Sequence, residues 1–163
     1  MIVESWQDTE HRKIIAEWIP AEKYEGEGPV VQSYALCRAG TLYCLLQSPR
    51  DDMCILPGGT TEEGESPEET LKREAWEEAN LHITNIELLG MQKIKMNEEH
   101  ADYGVKEFYQ ARYVCDVKRA EALTPDPDTG FVWKRMFVNS TELEECLDWG
   151  AILSEIVGLA DSG

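Results

Sequence analysis

The chain is short of basic residues and has no long apolar run, and these two scarcities narrow its class before any motif is read. Lys and Arg number 15 against 32 Asp and Glu, a formal net charge of −17. A grip on a nucleic acid polymer relies on cations that neutralise phosphates, so no such partner is expected. No apolar stretch approaches the roughly 18 residues that a membrane span needs. The opening Met1-Ile2-Val3-Glu4-Ser5-Trp6 also lacks the basic segment and apolar core of a secretory leader. The expectation is a cytoplasmic protein with no membrane partner.

Paired cysteines are missing as well. The five cysteines, Cys37, Cys44, Cys54, Cys115 and Cys146, are odd in number and contain no C-x-x-C spacing or cluster with His11, His82 or His100. Structural zinc and disulfides are therefore not expected. Several of the five sit in apolar runs such as Tyr43-Cys44-Leu45, where a free cysteine acts as a small core hydrophobe in a reducing setting. There is no internal repeat, and the Gly- and Pro-dense stretches are confined to residues 57–59 and 124–130, both read as loops.

What is present points to a folded protein. A chain of 163 residues, 42% hydrophobic and 29% charged, can bury a sound core without staples, and a single domain spanning residues 1–163 is expected. Residues 30–38 and 42–47, around the turn-prone Ala39-Gly40, read as a hairpin, with Ile55-Leu56 as an extension of the sheet. Residues 83–95, 105–117 and 131–138 carry strand-like patterning.

The clearest helix covers residues 66–79. Ser66 can cap it, Pro67 suits its first position, Glu69 completes a capping box, and Asn80 can end it in the left-handed conformation. Thr141 with Glu144 suggests a second capping box. It would open a C-terminal helical stretch to about residue 159, with a break near Trp149-Gly150. The first twenty residues are ambiguous. Strands interleaved with helices predict an α/β/α sandwich built on a mixed sheet.

One segment carries the chemistry. Glu74, Glu77 and Glu78 stand at helical spacings i, i+3 and i+4, so three carboxylates crowd one patch and repel by a few tenths of a kcal/mol per exposed pair. A divalent cation reverses the sign, because hard ions such as Mg²⁺ or Mn²⁺ are held by clustered carboxylate oxygens, waters and phosphates. In a chain this acidic, such an ion would also be needed between the protein and an anionic substrate. Arg73, four positions before Glu77, can fix that carboxylate with its planar fork. Ahead of the helix, Pro57-Gly58-Gly59 leaves the backbone bare for close approach to a metal or a phosphate, and Gly59 is a candidate substrate contact. An ordinary Glu-rich solvated helix would account for the carboxylates but not for the loop or for Glu65 just before the cap.

From Gly59 onward the sequence runs five residues to Glu65, then seven to Arg73-Glu74-Ala75-Trp76-Glu77-Glu78-Ala79-Asn80-Leu81. This resembles the Nudix box, which reads Gly, five residues, Glu, seven residues, Arg-Glu, an aliphatic residue, any residue, Glu-Glu, any residue, Gly and an aliphatic residue. Asn80 departs from the family's Gly, and Ala75 is merely small where an aliphatic residue is usual. The resemblance implies metal ligation by Glu74, Glu77, Glu78 and the Gly58 carbonyl, orientation of the glutamates by Arg73, and support from Glu65. It also implies a Mg²⁺ cofactor, with Mn²⁺ as the alternative, and hydrolysis of a nucleotide-like small molecule at a diphosphate linkage.

The general base is Glu74 or a carboxylate beyond the box, from among Glu98, Glu99, Glu107, Glu121, Asp126 and Asp128, with residues 121–128 preferred. Asp126 and Asp128 do not open a calcium loop, because Phe137 stands where the bidentate Glu is required. Trp133, Tyr103, Phe108 and Tyr109 are candidate stacking platforms, and Arg50 a candidate phosphate contact. A homodimer is a candidate assembly. The competing reading is a non-catalytic nucleotide-sensing or protein-binding module, for which three mutually repelling carboxylates have no evident use.

Overall fold

The structure, a computed structural model, describes residues 1–163. Nine strands form one sheet: β1 (Val3–Gln7), β2 (Lys13–Pro20), β3 (Val30–Ala39), β4 (Leu42–Gln47), β5 (Cys54–Ile55), β6 (Gly58–Thr60), β7 (Leu81–Met96), β8 (Glu107–Ala120) and β9 (Lys134–Val138). The order across it is β1-β2-β7-β8-β3-β4-β5, with β6 joined to β3 and β9 to β4. Only β3 and β8 run parallel, so the sheet is mixed. Helix α1 (Pro67–Ala79) covers one face, and α2 (Ser140–Leu147) with α3 (Ala151–Asp161) covers the other. No helix is long and apolar enough to cross a membrane.

Alternation along the strands divides the interior into two cores. On β3, Ala35 and Cys37 face α1 with Leu71, Ala75 and Ala79, whereas Leu36 faces the opposite core with Leu143, Leu153 and Ile156. The expected α/β/α architecture is therefore the observed one. The hairpin and α1 lie where the residue patterning puts them. Ser66 accepts from the Glu69 N–H while the Glu69 carboxylate accepts from the Ser66 N–H, completing the capping box.

Three local features differ from expectation. Residues 3–7 and 13–20 form an antiparallel pair. Their ambiguity has a physical source, since β1 is an edge strand with no fully buried residue and so carries little hydrophobic signal. Gly58-Gly59-Thr60 is a strand despite glycine's poor β propensity, because β3 supplies its ladder partners. The cap of α2 is Asn139, whose side chain accepts from the Glu142 N–H, so the helix starts ahead of the box expected at Thr141. The break before α3 falls where expected, with Asp148 left-handed and Gly150 at φ +81°.

Candidate active site

Gly58 and Gly59 bring the sheet against α1. Ala35 N–H donates to the Pro57 carbonyl and Thr61 N–H to the Val31 carbonyl, so antiparallel alternation turns the backbone groups of residues 58 and 60 away from β3 and toward the helix. There the Gly58 N–H donates to Glu78 at 2.9 Å and the Thr60 carbonyl accepts from Arg73 at 2.9 Å. Glycine is required at position 58, and at position 59 any side chain would displace the Glu74 carboxyl. A Cβ on Gly58, whose φ is +151°, would collide with the Ser33 carbonyl and the Tyr34 Cα, and one on Gly59 would lie 2.6 Å from the Glu74 carboxyl carbon.

Arg73 is the hub of this site. Its Nε and Nη2 hold Glu65 in a fork at 2.7 and 3.1 Å, and its Nη1 reaches Glu74 at 2.9 Å and Glu77 at 3.1 Å. The fork keeps the Glu65 carboxyl ionised down to about 2. The other glutamates move in the opposite direction. Burial pushes Glu74 up to about 7 against the pull of Arg73, with Glu77 and Asp128 adding like charge. Burial also raises Glu77, and it lifts Glu78 to about 9 in spite of the Gly58 N–H.

The third partner comes from the far end of the chain. Glu74, Glu77 and Asp128 each place a carboxylate oxygen within 4.8 Å of the others, where they could hold a metal ion. Glu78 is directed instead at Gly58 through Oε1, and its Oε2 accepts no hydrogen bond. Asp128 arrives on a loop tied down by three contacts. Asn80, left-handed at the end of α1 and fully buried, holds Thr124 through both side-chain atoms at 2.9 Å. Asp126 accepts from the Asp128 N–H and, through its other oxygen, from the Trp133 indole at 3.1 Å. Arg135 fastens the base of the loop by donating to the Ala79 and Glu121 carbonyls. Asn80 thus does what the glycine of the box would do for the backbone, and clasps the loop besides.

Together these groups enclose a cleft of about 310 Å³ with no apolar side chain in its lining. A hard cation fits it: the donors are carboxylate oxygens, burial raises the proton affinity of Glu74 and Glu77, with neighbouring carboxylates adding like charge, and the buried Thr61 Oγ1 at its edge has no partner.

The remaining candidates lie elsewhere. Trp133 is buried as the strut behind Asp126, and Phe108 and Tyr109 are in the two cores. Tyr103, half-buried, stacks on His100 and lies 3.3 Å from the Thr60 hydroxyl. Arg50 is exposed in the turn after β4 and lines neither this cleft nor the larger one. Glu107 pairs with Lys93 and Glu121 with His82, while Glu98 and Glu99 stay exposed between β7 and β8.

A second cleft, of about 780 Å³, opens on the sheet face that carries α3. Arg112, Gln92 and Gln110 form its floor, and Trp6 and Trp149 line it. None of these five was singled out in the sequence. The signal that could have found the floor is Arg112 with Gln110, the two polar residues in the otherwise apolar or aromatic run from Phe108 to Cys115.

The model of the NUDIX domain matches residues 26–151, which contain the whole acidic cleft and most of the sheet. The chain belongs to the Nudix family. No curated protein sequence matches it. Among solved structures, the Nudix hydrolase from Nitrosomonas europaea is 21% identical with a TM-score of 0.61, over 83% of this chain and 90% of that one. A mutant of the Bacillus subtilis pyrophosphohydrolase BsRppH is 20% identical with a TM-score of 0.60, over 82% and 76% of the two chains. The MutT protein from Bacillus halodurans is 25% identical with a TM-score of 0.51 over 71% of each. These likenesses extend the Nudix assignment to the fold as a whole.

Proposed function

We propose that this Nudix protein is a metal-dependent pyrophosphohydrolase that cleaves the diphosphate linkage of a nucleoside diphosphate derivative. The observation that carries the reading is the convergence of Glu74, Glu77 and Asp128 beside a bare Gly-Gly backbone, held by one arginine. Mg²⁺ or Mn²⁺ would be held by these three carboxylates, with Glu78 Oε2 and the Gly58 carbonyl as further oxygens within the same wall. Bound there, the ion would lower the proton affinity of water and neutralise charge building on phosphoryl oxygens.

The chain's own residues do the rest. Gly59 lets the Glu74 carboxyl pack against the strand backbone, and Arg73 keeps Glu74 and Glu77 from swinging apart. A water oxygen bonds to phosphorus, the bridging P–O bond breaks with its electron pair on the leaving phosphate, and the water's proton passes to a carboxylate. Glu74, or a carboxylate of the 121–128 loop, would take that proton.

The test is Mg²⁺-dependent product release from a panel of nucleoside diphosphate compounds by the parent, Glu77→Gln and Glu78→Gln proteins. Turnover by the parent that falls by about 10²-fold or more in both variants is the expected result. No turnover across the panel with Mg²⁺ still bound would favour a nucleotide sensor, and no metal binding would end the hydrolase reading.

A further inference from the structure

Cys54 and Cys146 are the two cysteines that solvent can reach, and they meet. Cys37, Cys44 and Cys115 are fully buried between the sheet and α1, whereas Cys54 is half-buried at the start of β5 and Cys146 is exposed in the last turn of α2. Strand and helix are in contact. Cys54 packs on the core cluster to which α2 contributes Leu143 and Leu147. Cys146 stands three positions after the first of these and one before the second, at the border of the helix's buried face. Its thiol thereby comes within hydrogen-bonding reach of the Cys54 sulfur, while the Cys54 thiol donates to the Asp52 carbonyl at 3.9 Å.

The two sulfurs are not equivalent. Burial pushes the Cys54 thiol up, with Cys146 and Asp52 adding to it, so Cys54 holds its proton, and the exposed Cys146 is the sulfur that an oxidant meets first. The sequence around both is acidic, with Asp51 and Asp52 ahead of Cys54, and Glu142, Glu144 and Glu145 ahead of Cys146. Such a surface repels an anionic oxidant and leaves the approach of an uncharged one unhindered.

We propose that Cys54 and Cys146 are a site of oxidative modification, a dithiol that hydrogen peroxide closes into a disulfide between β5 and α2 and that a thiol reductant reopens. The Cys146 sulfur attacks one peroxide oxygen, the O–O bond breaks, and the sulfur is left as a sulfenic acid while the other oxygen leaves as water with the thiol's proton. The Cys54 sulfur then attacks that of Cys146, forming the S–S bond and breaking the S–O bond, and a second water carries off the hydroxyl and the Cys54 proton. Two thiols give up two electrons and one peroxide becomes two waters. The bond would fasten together two segments that line the larger cleft, since Cys54 leads into Ile55 and Leu56, and Cys146 is soon followed by Asp148, Trp149 and Gly150. A disulfide of this kind is compatible with a reducing setting, where such bonds are transient and sense oxidants.

The experiment treats the whole metal-free chain with a modest excess of hydrogen peroxide, counts thiols after unfolding, maps the disulfide by peptide mass spectrometry without reduction, and follows thermal melting. The thiol count should fall by two, the peptides that carry Cys54 and Cys146 should be joined within one chain, the melting temperature should rise by roughly 5 °C, and dithiothreitol should reverse all three changes. Cys54→Ser and Cys146→Ser should each abolish the bridge and the melting shift. If either variant fails to fold, the map of the unmodified protein decides. An unchanged thiol count overturns the proposal; so does a bridge to Cys37, Cys44 or Cys115, a disulfide between two copies through Cys146, or Cys146 driven to the sulfinic acid with Cys54 still a thiol. No readout involves turnover, so the dithiol stands or falls apart from the pyrophosphohydrolase reading.

Discussion

The two clefts share a border at Tyr34 and Gly58 and are otherwise opposites. The smaller one is walled by carboxylates with a single arginine to restrain them; the larger one has a single arginine, no acid at its floor, and indoles around it. Each would be unfavourable if left empty, one through crowded negative charge and the other through an uncompensated positive one. The difference teaches how charge is divided: the face toward α1 gathers carboxylates around a bare backbone, and the face toward α3 gathers indoles around a buried arginine.

The sharpest way to break this contrast is to cripple one cleft and leave the other intact. Arg73→Ala should reduce Mg²⁺-dependent turnover by about 10²–10⁴-fold and cost roughly 3 kcal/mol of stability, because Glu65, Glu74 and Glu77 lose their common partner. The tryptophan emission to which Trp6 and Trp149 of the larger cleft contribute should not change. Arg73→Lys keeps the charge but not the fork, and should recover little activity. A change in that emission would show that the clefts are one cooperative unit.

A pH titration sharpens the same contrast. In the unfolded chain Glu74 and Glu78 release their protons near pH 4.5; in the folded chain they hold them to about 7 and about 9. Between those limits the folded state binds more protons, so its stability falls as pH rises. The melting temperature of the metal-free protein should therefore drop from pH 5 to pH 9, and Mg²⁺ should restore most at the upper end. Glu65, held ionised to about 2, acts with the opposite sign, and its contribution is lost as pH falls below the ordinary carboxylate range. Arg112 keeps its charge through this window.

The smallest expected effect comes from Asn80→Gly. Glycine preserves the left-handed turn but gives up both bonds to Thr124, at about 1 kcal/mol each. Turnover should fall a few-fold through a looser Asp128, with the fold unchanged by circular dichroism.

The contrast also explains what could be read from the sequence. The acidic cleft is mostly local: Gly58, Gly59, Glu65, Arg73, Glu74, Glu77 and Glu78 lie within about twenty positions, and helical spacing alone places the glutamates on one patch. Asp128 could be named only among several candidates, because its place is set by Asn80 and Trp133 gripping a loop, and no spacing rule encodes that. Trp133 illustrates the same limit, since an indole that suggests stacking in sequence is the strut behind Asp126 in space. The larger cleft draws on β1, β3, β7, β8 and α3, so its members share no local pattern. The α/β/α layering was legible because strand and helix periodicities differ, whereas edge strand β1, with little to bury, left no trace.

The Glu4 carboxylate, which accepts hydrogen bonds from Ala151 and Ile152, carries a consequence for the order of assembly. It joins positions 147 and 148 residues apart, among the longest loops this chain can close. Loop closure of that length is costly and slow compared with winding α1, whose capping box and neighbours are close in sequence. The wall of the larger cleft is thus completed only when the two ends of the fold meet, and fraying at either end would open that cleft before it disturbed the carboxylates.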